Sequence, residues 1–121
     1  MKIFVFGNLD LPEDSLPLRL VPKLEKLFPR HHFVIKDPNE EWDMPEEFFV
    51  IDTVQGIDKV AVFDDLDKFE KAPRTTMHDF DALTNLRYLK KLGKIKKIKI
   101  IGLPPMMDEK TALGKIYEYL V

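Results

Sequence analysis

Cysteine is absent from this 121-residue chain. Disulfides, thiolate zinc sites, iron–sulfur clusters and cysteine nucleophiles are therefore excluded. Glycine numbers only five, and none falls in the GxGxxG pattern of dinucleotide sites or the GxxxxGK[ST] pattern of phosphate-binding loops. A long hydrophobic run is also lacking. The opening segment Ile3-Phe4-Val5-Phe6 is far shorter than a signal-peptide core, and nothing approaches the roughly 20 apolar residues of a membrane span. Nor does one sign of charge prevail: 19 basic residues face 21 acidic ones, a net charge of −2. A nucleic-acid or membrane-surface binder would be more basic. The expectation is a soluble cytoplasmic protein with no nucleic-acid partner and no membrane span, a monomer or weak oligomer. What remains is an ordinary 45% of hydrophobic residues, enough for a single core over 1–121. Any chemistry must come from carboxylates, the three histidines, hydroxyls or lysines.

Strand and helix patterns alternate along the chain. Lys2 to Phe6 is apolar without alternation, the mark of a strand buried on both faces of a parallel sheet. A helix is predicted over Leu16–Phe28, with Asp14 or Ser15 as N-cap, Pro17 tolerated in the first turn, and Leu20, Val21, Leu24, Leu27 and Phe28 as its buried stripe. A second strand spans His32–Lys36. An acidic excursion from Glu40 to Glu47 is expected to be exposed and mobile. Phe48–Ile51 forms a third strand ending at Asp52. Lys59–Phe63 follows too closely for a crossover helix, so it belongs antiparallel or at an edge. Asp64–Thr76 reads as loop and Asp79–Leu92 as a helix stopped by Gly93. The last strand is Ile98–Gly102, and the last helix Asp108–Leu120 turns Leu113, Ile116, Tyr117 and Leu120 inward. The fold class is α/β: one three-layer domain, a mostly parallel sheet flanked by helices.

In such a sheet ligands sit outside the carboxyl ends of the strands. The sequence places Glu13 and Asp14 after the first strand, Asp37 after the second and Asp52 after the third, with His78 entering the second predicted helix. This mixed oxygen and nitrogen set suits a borderline divalent ion such as nickel or zinc. Asp and Asn after strands are also ordinary turn formers, and Asp14 doubles as a helix cap. Asp52 stands out because four apolar residues precede it, so its carboxylate starts in a buried strand and needs a partner. His31 and His32 read as surface residues. Gly7-Asn8 offers backbone amides for an anion, while the lysines from Lys94 to Lys99 read as a solvated face.

The order of these features resembles the hydrogenase maturation endopeptidases, which trim the C-terminal extension from the large subunit of nickel–iron hydrogenases. Ile3 to Asn8, the acidic pair Glu13-Asp14 and the helix with Arg19 are similar to that family's opening. Phe49-Val50-Ile51-Asp52 is similar to its apolar strand ending in aspartate, His78 to its single histidine, and Lys99 to Pro104 to its last strand. The resemblance implies that Asp14, Asp52 and His78 contact the metal and carry catalysis. Glu13 then stands beside them and Asp37 lines the substrate cleft. It further implies a nickel ion carried by the substrate, a hydrogenase large-subunit precursor, rather than held permanently. Departures are visible: Pro38-Asn39-Glu40 follows Asp37 where small residues are usual, and Leu16-Pro17 replaces a glycine.

Two other classes are open at this point. A receiver-like signalling domain also carries an acidic pair and a phosphoacceptor aspartate. It places that pair directly at the end of strand one, though, where Gly7-Asn8 stands here, and a lysine where this chain has Gly102-Leu103-Pro104. A non-catalytic relative would bind a metalloprotein subunit without cutting it.

Overall fold

The computed structural model describes residues 2–35, 47–64, 74–75, 91 and 97–120. The strands among them are β1 (Lys2–Val5), β2 (His32–Ile35), β3 (Glu47–Gln55), β4 (Ala61–Phe63), β5 (Arg74–Thr75) and β6 (Lys97–Leu103). The helices are α1 (Leu16–Leu27) and α2 (Glu109–Leu120), and a 3-10 turn at Pro12–Asp14 leads into α1. The strand order is β2-β1-β3-β6-β4, with β5 pairing off this path onto β3. β2, β1, β3 and β6 run parallel, while β4 lies antiparallel against β6 at the edge. The fold is therefore α/β, and the short connection ahead of β4 produces the antiparallel edge that its length requires.

The central runs of β1 and β3, Ile3–Val5 and Val50–Ile51, are apolar and buried on both faces, whereas β2 and the start of β6 keep exposed positions such as His32, Ile35, Lys97 and Lys99. Ile3, Val5, Ile51, Ile101 and Leu103 form one cluster with Leu16, Leu20, Val21 and Leu24 of α1 and Ala112 and Ile116 of α2. Side chains alternate along a strand, so Phe4, Phe6, Val50, Val54, Ile98 and Ile100 belong to the opposite face, and they are buried too. Each such large side chain contributes about 1.5–3 kcal/mol on burial.

Several sequence expectations shift. β3 runs from Glu47 through Asp52 to Gln55, so Glu47 opens a strand instead of closing the acidic excursion. Its β-branched residues beyond Asp52, Thr53 and Val54, carry it on. Arg74–Thr75 pairs with β3 where loop was expected. On α1, Leu27 is 46% exposed and leaves the stripe, whereas Leu16 and Pro17 join it. On α2 the predicted Ile116 is buried and Leu113 and Leu120 pack against the core, joined by Ala112, while Tyr117 is 47% exposed and leaves the predicted face. His31 is half-buried, not a surface group. Its ring lies 5.6 Å from that of Phe28 and edge-on to Phe33 at 6.5 Å. Pro22 sits inside α1 on its solvent side, where the carbonyl it leaves without an amide partner can be hydrated. The predicted second helix, apart from the helical Lys91, lies outside the described residues, as do Glu40–Glu46 of the acidic excursion.

Candidate functional site

β1 connects through α1 to β2 on one side, whereas the chain from β3 continues to β6 on the other. The strand order therefore reverses between β1 and β3, and the crevice outside the carboxyl ends of strands at such a reversal is the usual ligand position in open α/β sheets. The ladder between them ends at Val5 and Ile51, with a last bond from the Phe6 amide to the Ile51 carbonyl at 3.0 Å. β3 then projects past β1: Asp52 pairs with Gly102 and Thr53 with Leu103 on β6, and Val54 and Gln55 pair with β5.

Polar residues concentrate at this point. Among the described residues the buried polar or charged ones are Asp14, Ser15, Asp52 and Thr53, all from the two segments that bound the crevice. Desolvating a carboxylate is costly, so a fold that buries two beside one opening has a use for them or a network to hold them. Asp52 is 2% exposed. Its Oδ1 accepts the Thr53 amide at 2.8 Å, which fixes the carboxylate against the strand that carries it. Alternation puts it on the face opposite α1 and α2.

Asp14 is 1% exposed and ends the 3-10 turn. Its backbone is tied back onto the end of β1: the Asn8 amide donates to the Asp14 carbonyl at 2.8 Å, and the Asp14 amide to the Leu11 carbonyl at 2.9 Å. Gly7 makes this return possible. A Cβ there would meet the Asp14 carbonyl oxygen at 2.7 Å, closer than real side chains come, and Leu18 Cγ at a tight 3.2 Å. The Asn8 amide is thus already engaged, so the anion cradle expected at Gly7-Asn8 loses that donor. Gly102, the β6 partner of Asp52, makes room instead for apolar packing, since a Cβ there would meet Val54 Cγ2 at 2.8 Å and the Phe63 ring at 3.1 Å.

Glu13, adjacent to Asp14, is exposed, so the acidic pair divides into one buried and one solvated carboxylate. Asp37 and His78 lie outside the described residues. Among the described residues no group of three or more His, Cys, Asp or Glu is arranged to hold a metal ion, as follows when the only imidazoles described, His31 and His32, sit at the amino end of β2. Ser15 stands at the N-cap of α1, as expected, yet its side chain makes no cap bond. The hydroxyl instead donates to the Pro12 carbonyl at 3.1 Å and accepts from Arg19 Nε at 3.1 Å. This network includes Glu109 of α2, whose Oε2 lies 2.9 Å from the Arg19 guanidinium. No sequence pattern announces that contact, because the two residues are 90 positions apart.

The receiver-like reading requires an all-parallel sheet of the 2-1-3-4-5 kind; the antiparallel β4 edge departs from it. No helix among the described residues is long and apolar enough to cross a membrane.

No family model matches the chain, and no curated protein sequence matches it. Solved structures do. The hydrogenase maturating endopeptidase HybD from E. coli superposes with a TM-score of 0.69 at 18% identity, covering 99% of this chain and 92% of that one. The hydrogenase 3 maturation protease gives a TM-score of 0.66 at 18% identity, with 99% and 88% covered. The solution structure of an endopeptidase from Escherichia coli gives 0.62 at 20% identity, again over 99% and 88%. The chain shares the fold of these endopeptidases over nearly its whole length.

Proposed function

We propose that this protein is a maturation endopeptidase: it removes the C-terminal extension from a nickel-loaded hydrogenase large-subunit precursor. The observation that carries this reading is the burial of Asp14 and Asp52 at the β1/β3 crevice, in a fold shared with hydrogenase maturation proteases. Asp14 and Asp52 supply oxygen ligands and His78 the one nitrogen ligand. A set of two carboxylates and one imidazole is weak and open, suited to engaging an ion that arrives with the precursor rather than keeping its own. Nickel is then part of the substrate, and cleavage follows only correct metallation. An ion held there polarises the scissile carbonyl or acidifies an attacking water. A carboxylate fixed by a backbone amide, as Asp52 is, is oriented to accept the proton of that water. Exposed Glu13 and the Asp37 position serve the passing polypeptide.

Cleavage of a nickel-loaded precursor, run beside the same precursor without nickel, tests the proposal. Processing that requires nickel and is lost in Asp14→Ala, Asp52→Ala and His78→Ala supports it. Normal processing by Asp52→Ala and His78→Ala overturns the mechanism. Nickel-dependent binding of the precursor without cleavage by the wild-type chain would instead make it a recognition module, the reading to which Pro38-Asn39-Glu40 and Leu16-Pro17 lend some weight.

A further inference from the structure

Arg19 occupies a position that the site described so far does not use. It lies on the first turn of α1, and its guanidinium faces two ways. Nε donates to Ser15 Oγ at 3.1 Å, and one terminal nitrogen donates to Glu109 Oε2 at 2.9 Å. The Ser15 hydroxyl passes its own hydrogen to the Pro12 carbonyl at 3.1 Å. Pro12 opens the 3-10 turn that Asp14 closes. A single chain of hydrogen bonds therefore runs from the first residue of α2, through Arg19 and Ser15, to the turn that carries Asp14.

We infer that Arg19 is a positioning residue for Asp14, and that Glu109 makes the seating of the C-terminal helix part of the same device. This rests on the reading above that Asp14 serves the cleavage site. Three features point to positioning over bulk stability. Ser15 stands where a capping serine belongs but gives up the cap to join the chain, a local loss that a gain elsewhere must balance. The Arg19 and Glu109 side chains are 38% and 34% exposed, and an ion pair at that exposure adds little to global stability. The Ser15 hydroxyl, which links Arg19 to the Pro12 carbonyl, belongs to a residue only 6% exposed, so the inner end of the chain is enclosed where it meets the Asp14 turn. A guanidinium suits this task because its donors lie in a fixed fork. A lysine ammonium is a compact point charge without that planar fork; Lys23 lies 3.7 Å from the other Glu109 oxygen.

The test uses the full chain with Arg19→Gln, Arg19→Lys, Ser15→Ala and the double variant Arg19→Gln/Ser15→Ala. Three readouts are taken: kcat and KM on a nickel-loaded hydrogenase large-subunit precursor, the carboxyl-carbon NMR resonance of Asp14, and a thermal melt. Arg19→Gln is expected to lower kcat roughly ten- to hundredfold, the scale of a small misplacement, with KM nearly unchanged and the Asp14 resonance shifted. Ser15→Ala should do the same, and the double variant should be no worse than either single one, because both cut one chain. Arg19→Lys, which keeps the charge, should recover only part of the rate; if Arg19→Gln fails to fold, it carries the test. Unchanged kcat with an unmoved Asp14 resonance in a folded Arg19 variant overturns the inference, as do strictly additive losses. If the wild-type chain cleaves no precursor, the functional reading fails, and the Asp14 resonance alone then decides whether Arg19 positions that carboxylate.

Discussion

The two ends of the sheet are built from different materials. At the amino end, where α1 finishes and β2 begins, Phe28 stacks on Tyr117 at 5.4 Å and on His31 at 5.6 Å, with Phe33 edge-on beyond. This is packing chemistry, and even the histidine is used as a ring, its Nδ1 buried and making no hydrogen bond among the described residues. At the carboxyl end the chain buries Asp14, Ser15, Asp52 and Thr53 and relies on the close approach of Gly7 to the Asp14 carbonyl. Aromatic rings at one end gain stability from area and stacking. Carboxylates at the other cost desolvation and confer specificity and reactivity instead. One end of the fold holds the molecule together; the proposed function assigns the work to the other.

That division breaks if the wrong end responds to substitution. The largest expected effect is Asp52→Asn. The amide keeps an oxygen to accept the Thr53 amide but deletes the charge, so the melting temperature should stay within a few degrees while cleavage falls by about 10²–10⁴-fold, the contribution typical of a positioned acid or base. At the opposite end Phe28→Ala should cost about 3–5 kcal/mol of stability, read by denaturant unfolding. The kcat of whatever remains folded should be near normal. Loss of activity in a stable Phe28 variant would show the ends to be coupled. Gly7→Ala should do both kinds of damage. The 2.7 Å approach to the Asp14 carbonyl must open, with about 1–3 kcal/mol lost to overpacking and the Asp14 turn displaced.

How much of this is readable in the sequence differs between the ends as well. β1 and β3 are legible because both-face burial leaves unbroken apolar runs, and β4 because a short connection dictates its direction. Asp52 is legible for a related reason: a carboxylate directly after four apolar residues starts inside. Asp14 is half-legible, since the acidic pair marks the loop but not which member turns in. That choice is made by the 3-10 turn and Gly7, through contacts invisible in periodicity. The Ser15–Arg19–Glu109 chain is not legible, because it joins residues distant in sequence. His31 misleads because histidine beside proline and arginine reads as surface, and its stacking needs the register of β2 against α1.

The smallest expected effect is the most discriminating probe of the comparison. Thr53 is fully buried, at 0% exposure, one residue past Asp52, and its Oγ1 makes no hydrogen bond among the described residues. A hydroxyl desolvated in that way is a stability cost, so Thr53→Val, which swaps it for a methyl of similar size, should leave the fold as stable or raise it by up to about 1 kcal/mol. If the carboxyl end is organised for work, the same change should reduce kcat/KM by roughly tenfold or less, the loss of one hydrogen bond to the polypeptide or its water. Melting and cleavage measured on the one variant separate the two outcomes. A more stable protein that cleaves more slowly confirms that the rim trades stability for function. A more stable protein at full speed makes Thr53 a packing residue, and confines the working surface to the carboxylates on either side of the crevice.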